Sequence, residues 1–116
     1  MQIRKINSLK EASKAIKEIG SDPASIPIMS PKMIHHVIQM DHILLQDAII
    51  LKQDMLSIGG EVIVPKKTFE LHQEKATILV SGTIHQLSKL VKKLNRHYPR
   101  IKQIANELEQ LVDQIS

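Results

Sequence analysis

The chain has no cysteine and no tryptophan, and its only aromatic residues are one phenylalanine and one tyrosine. Without thiols it forms no disulfide, runs no thiolate chemistry and builds no cysteine-ligated zinc site. Aromatics at 2% leave a core made of Ile, Leu, Val and Met, and no set of rings on which nucleobases could stack. No apolar run approaches the ~20 residues of a membrane-spanning helix, and the N-terminus, charged at Arg4 and Lys5, lacks the apolar core of a secretory leader. A cytoplasmic location without a membrane partner is expected. Acidic residues are missing from Ala76 to Asn106, a stretch that carries Lys89, Lys92, Lys93, Arg96, Arg100 and Lys102.

What is present is a globular balance of 42% hydrophobic and 24% charged residues with a net charge of +4. The 116 residues suit a single domain, 1–116, able to bury roughly 65% of the surface of the unfolded chain.

Hydrophobic spacing places strands and helices alternately. Residues 2–6 are a short strand candidate. Ser8 and Glu11 form a capping-box pair, Ala12, Ala15, Ile16 and Ile19 then share one helical face, and Gly20 stops the helix. Pro23, Pro27 and Pro31 exclude a regular helix from Ser21 to Pro31, which reads as a loop around an extended piece at 26–29. Ile34, His36, Ile38 and Met40 alternate with His35, Val37 and Gln39 as a second strand. Leu44, Leu45, Ala48, Ile49, Leu51, Met55, Leu56 and Ile58 fill about half of a helical wheel, closed by Gly59 and Gly60. Residues 61–64 and 77–80 are β-branched apolar runs of the kind buried on both faces of a sheet. Thr83 and Gln86 open a helix that turns Ile84, Leu87, Leu90, Val91 and Leu94 inward. Pro99 suits the first turn of a last helix, carried by Ile101, Ile104, Ala105, Leu108, Leu111, Val112 and Ile115. The pattern predicts an α/β fold: a small layered domain of about four strands, mixed or partly parallel, with helices packed on the sheet and a C-terminal amphipathic helix.

Three groups of residues are candidates for binding or chemistry. Lys52 falls between Leu45 and Met55 inside the apolar arc, where a charge needs a partner or an outlet to solvent. Either its ammonium reaches a carboxylate or carbonyls at a strand end, or it is presented to an anionic ligand. Gly82 and Thr83 join a strand to a capped helix, a junction that serves ordinary capping and whose amides can also hold phosphate or carboxylate, although the repeated glycines and lysine of a P-loop are missing. Lys89, Lys92, Lys93 and Arg96 form a basic face opposite Leu87, Leu90 and Leu94. That face is solvated, or meets an acidic protein, or binds nucleic acid; the lack of aromatics and the modest net charge speak against nucleic acid. His35, His36, His42, His72, His85 and His97 share no ligand interval, and no serine triad or carboxylate pair stands out. No metal, cofactor or catalytic residue is therefore assigned.

Residues 49–94 carry a further signal. Leu51, Lys52, Gln53, Met55, Leu56, Ser57, Gly59, Gly60, Glu61 and Val64, then Leu79, Gly82, Thr83, Gln86, Leu90, Lys93 and Leu94, resemble the N-terminal accessory region ahead of the catalytic barrel in some bacterial dihydropteroate synthases, enzymes of folate synthesis. Ile28, Met29, Lys32 and the Ile-rich tail match more loosely. Asp54 stands where that pattern has glutamate, and Val62 and Ile63 replace a pair of small residues. The resemblance implies an accessory domain with a docking or regulatory role towards a catalytic barrel, on the same chain or a separate one. It implies no chemistry of its own, because the family's reaction belongs to the barrel, which takes on the order of 250 residues. The barrel's Asn-Xaa-Thr-Pro-Asp-Ser-Phe type of loop is missing here. The last helix, apolar as far as Ile115, is where the resembled chains run on towards the barrel, and so is the expected contact element. A homo-oligomer is compatible with the sequence. The main alternative is a stand-alone cytoplasmic binding module that uses helix 84–96 for nucleic acid or another polyanion. A third reading is an enzyme with Lys52 in a pocket near Gly82.

Overall fold

The computed structural model describes residues 1–66 and 74–115. In chain order its elements are α1 (Leu9–Ile19), a short α2 (Ile26–Met29) between two 3₁₀ turns, β1 (His35–Leu44), α3 (Leu45–Ile58), β2 (Glu61–Ile63), β3 (Lys75–Thr83), α4 (Ile84–Leu94) and α5 (Pro99–Ile115). The α/β class follows the alternation read from the sequence.

The sheet has the order β1-β3-β2, and both of its pairings are antiparallel. Because β1 and β2 each oppose β3, they run in the same direction with β3 inserted between them, so β1, α3 and β2 form a split crossover. The expectation of about four strands with partly parallel pairing is corrected on both counts: three strands are found among the described residues, and no neighbours are parallel. Apolar alternation marks a strand but does not choose its neighbour. The segment 2–6, expected as a strand, runs without a ladder, because an extended segment becomes a strand only where another strand's amides and carbonyls are offered.

Helices α3 and α4 cover one face of the sheet, and α5 packs on α4. Val62, Ile78 and Val80 meet Leu51, Met55, Leu87, Leu90 and Leu94 in a buried aliphatic core. Among the described residues no element covers the other face. Along β3, Ala76, Ile78, Val80 and Gly82 are buried while Lys75 and Thr77 are exposed, and Val37 and Ile63 on the outer strands face out. Runs 61–64 and 77–80 are therefore buried on one face and not on two, as suits an antiparallel sheet with helices on a single side.

Local signals resolve as follows. Ser8 Oγ accepts from the Glu11 amide at 3.1 Å, while Glu11 Oε2 takes the amide of Asn7 at 2.9 Å instead of returning to Ser8. Ile19, expected inward, is exposed, because α1 rests on α2 and the following 3₁₀ turn, too small a surface to cover its last turn. The predicted loop at 21–31 is three consecutive short helical turns. Each proline sits at the first or second position of its turn, where a missing N–H has no intrahelical partner to lose. Thr83 and Gln86 form the complete reciprocal box, and Pro99 begins α5 as predicted. Strand β1 bulges between Met40 and Ile43, where Asp41 and His42 together oppose Thr77 and His42 takes φ 57°.

Two glycines allow one close approach. The side chain of the fully buried Met55 lies where a Cβ on Gly60 or Gly82 would sit, and a Cβ on Gly60 would also come within 2.8 Å of the Ser81 carbonyl. Gly82→Ala should cost about 1–3 kcal/mol through overpacking, and less than that in a Met55→Val background, where the obstacle is shortened. Gly60→Ala should stay destabilised in that background, since the Ser81 carbonyl is backbone and cannot retreat. Urea unfolding of the two double-mutant cycles checks this; absence of coupling between Met55 and Gly82 would remove Met55 as the obstacle there.

Candidate functional site

The densest polar chemistry lies where the first turn of α3 meets the start of α5. Asp47, with only 2% of its side chain exposed, receives Arg100 Nε on Oδ2 at 2.6 Å and Arg100 Nη2 on Oδ1 at 2.8 Å. Tyr98 donates its hydroxyl to Oδ1 at 2.5 Å and accepts from Arg100 Nη2 at 3.0 Å, while the guanidinium stacks 4.9 Å from its ring centroid. Burial pushes the Asp47 carboxyl up, but the bonds from Arg100 and Tyr98 outweigh it and hold the group below its ordinary 3.8. The same hydrogen bond to Asp47, with burial and the carboxylate's charge, raises Tyr98, and Asp47 raises Arg100. At neutral pH the cluster is a closed ion pair with a hydroxyl attached, which suits fastening two helices better than moving a proton. Sequence reasoning assigned none of these three. The signal was an acid at 47, four residues before Leu51 on the apolar arc, where a carboxylate needs a cation.

Lys52 takes the first of its two alternatives. Its Nζ donates to Glu61 Oε1 at 2.9 Å and to the Val62 carbonyl at 2.7 Å, at the start of β2, with 25% of the side chain exposed. Glu61 is held below its ordinary value by the Lys52 bond and by the Val62 amide on the same oxygen at 2.8 Å. Around Gly82 and Thr83 the amides are engaged. Thr83 N donates to Gln86 Oε1 at 2.9 Å, Gln86 N to Thr83 Oγ1 at 3.1 Å, and Ile84 N to the Ile34 carbonyl at 2.9 Å. Met55, one turn on from Lys52, fills the space in front of Gly82.

The basic face divides. Lys89, Lys92 and Arg96 are exposed. Lys93 instead donates to Ser57 Oγ on α3 at 2.5 Å, and His97 Nε2 meets Asp54 Oδ2 at 2.9 Å, so these two fasten the end of α4 to α3. His85 is pushed below its ordinary value by partial burial and then by Lys89, Lys32 and Lys92, which adds Lys32 to the patch. Lys92 also borders a hollow of about 220 Å³ with Glu109 and Asp113 of α5, so the charge is mixed on that side.

His35 bonds Ser81 Oγ at 3.0 Å on the open face, and His36 Nε2 is buried without a hydrogen-bond partner on the helix side. His72 lies outside the described residues. Among the described residues no three His, Asp or Glu side chains are placed to hold a metal ion, and no helix is long and apolar enough to cross a membrane. The stripe of α5 buries Ile101, Ala105, Leu108 and Val112 on its own fold and leaves Leu111 exposed.

Leaving Asp47 ionised without its cation should cost about 3 kcal/mol, so Arg100→Met should destabilise more than the double variant Asp47→Leu/Arg100→Met. Because the folded Asp47 lies below 3.8, its contribution is complete above about pH 4 and fades as pH falls through the folded value. Asp47→Leu should lose that part of acid unfolding. An Arg100→Met chain no less stable than the double variant would deny the clamp. For Lys52, change to Met should shift stability by under about 1.5 kcal/mol, whereas Lys52→Asp, placing an acid against Glu61 and the Val62 carbonyl, should cost several. Equal, negligible changes would mean the ammonium is simply solvated.

No family model matches the chain, and no solved structure matches it. It is similar to the bifunctional dihydropteroate synthase/dihydropteroate reductase of Helicobacter pylori (strain ATCC 700392 / 26695), 25% identical over 95 residues. Those residues are 82% of this chain and 25% of that protein, so the chain spans about a quarter of the length of the curated relative it matches.

Proposed function

We propose that the chain is a non-catalytic accessory module of folate biosynthesis, with a docking or regulatory role towards the barrel of a dihydropteroate synthase, on the same chain or a separate one. The observation that carries this reading is the extent of the similarity: 82% of this chain against 25% of a protein named for two reactions. What the two share is a segment the size of one accessory domain, well short of the on the order of 250 residues that a barrel takes. The ionisable groups described above support it. Asp47, Lys52, Glu61, Asp54 and Lys93 each hold one element to another, the work of a scaffold. No cofactor is called for, and on this reading the chain acts in the cytoplasm.

Two measurements test it. Alone, the chain should not condense a pterin pyrophosphate with para-aminobenzoate above a buffer control; turnover would overturn the non-catalytic part. Titrated into a dihydropteroate synthase barrel from the same organism, it should bind saturably and shift KM or kcat. Absence of both binding and kinetic change, with the two joined as well as separate, would sink the docking role.

A further inference from the structure

Residues 2–5 are exposed and lie outside the sheet, Ile3 at 93%, while Ile6 behind them packs against the core. Their ion pair, Arg4 to Glu18 at 3.6 Å, joins two half-exposed side chains and holds little. Elsewhere the same molecule has an edge of the kind such a segment completes. Strand β1 is an outer strand of the sheet, and an outer strand presents unpaired amides and carbonyls. Residues 38–41, which alternate in facing, together line a groove of about 230 Å³ with Ile104, Glu107, Leu108 and Leu111 of α5. Consecutive strand residues share a groove only when it follows the strand's edge. The bulge at Asp41 and His42 ends the straight stretch at Met40, leaving residues 35–40 as a flat template.

The spacing of side chains fits as well. Ile3 and Lys5 point to the same side of an extended segment, about 6.7 Å apart. Leu111 and Glu107 lie four residues apart on one face of α5, about 6 Å from each other. Arg4 would point to the opposite side, towards the open sheet face, where Asp41 accepts from Gln39 and Thr77 at 3.0 Å each. An apolar residue thus meets an apolar one, and each of two cations meets an acid.

We propose that residues 2–5 of one copy add as a strand to the outer edge of β1 in a second copy, with Ile3 on Leu111, Lys5 at Glu107 and Arg4 at Asp41. Reciprocal exchange of the two segments closes a two-fold dimer. This dimer is independent of the folate reading.

Sedimentation velocity over a range of concentrations should show a monomer–dimer equilibrium that moves fully to monomer in Ile3→Asp and in Leu111→Asp. Both side chains are exposed in the single copy, so helical circular dichroism should not change, nor should the unfolding midpoint at concentrations where the unaltered chain is monomeric; should Leu111→Asp misfold, Ile3→Asp carries the test. Lys5→Glu should dissociate the dimer, and Glu107→Lys in the same chain should restore it. Because the chain has no cysteine, Ile3→Cys chains oxidised together with Leu111→Cys chains should yield a disulfide-linked pair. A monomer at every concentration, a dimer indifferent to both aspartate variants, or a chain with both cysteines that closes only on itself would each overturn the exchange.

Discussion

Met55 occupies the space left by two missing Cβ atoms, and this contact sets how closely α3 can lie on the sheet. A core without aromatic rings has no large flat side chain to bridge a gap between layers, so the layers must approach until aliphatic chains touch. Gly60 begins β2 and Gly82 lies near the end of β3, so one flexible side chain seats the last turn of α3 against both strands. Gly59, at φ 104°, ends the helix at the same place, and its amide and that of Gly60 both return to the Met55 carbonyl at 3.1 Å. The residue that fills the gap also supplies the acceptor that terminates the helix.

From that seat, α3 is fastened to β2, α4 and α5 by polar side chains. Asp47 holds α5, Lys52 holds β2, and Asp54 with Ser57 holds the end of α4. Such pairs add little net stability where they are solvated, and the buried one offsets a desolvation penalty before it contributes. Their effect is on register. An aliphatic surface slides at small cost, whereas a bidentate guanidinium on a buried carboxylate fixes which turn of α5 meets which turn of α3. The helix most central to the fold therefore carries the charges that its apolar arc should not tolerate.

How much of this was legible in the sequence depends on the range of each signal. The caps at Ser8, Thr83 and Gln86, the glycine stops and the proline at the start of α5 are local, and their residues predict them directly. The partner of Lys52 was legible as a type, a carboxylate and a carbonyl at a strand end, because the apolar arc demanded one. Pairing order was not, since β3 inserts between β1 and β2 through contacts that no spacing along the chain encodes. Asp47 was equally demanding but was passed over, because Tyr98 and Arg100 stand more than fifty residues away and Arg100 reads as one more cation in a basic stretch. From Ser21 to Pro31 the prolines exclude a regular helix on spacing alone, whereas at the first or second position of a short turn proline favours one.

Placing all helices on one side leaves an open face and two free edges, and these differ in chemistry. On the face, Val37 lies opposite Ser81, and Gln39 opposite Leu79, with Ile63 beyond. Apolar and polar side chains interleave there, and a sheet surface of that composition is stable against water. Along β1 the contrast is sharper. The bulge and the nearby α5 blunt the edge towards its C-terminal end, which is how proteins keep outer strands from pairing indiscriminately. The stretch before the bulge keeps an apolar floor from α5 and two carboxylates on its rim. An edge guarded at one end and furnished at the other selects what can pair with it: a short extended segment with an apolar residue next to cations, and not any passing strand.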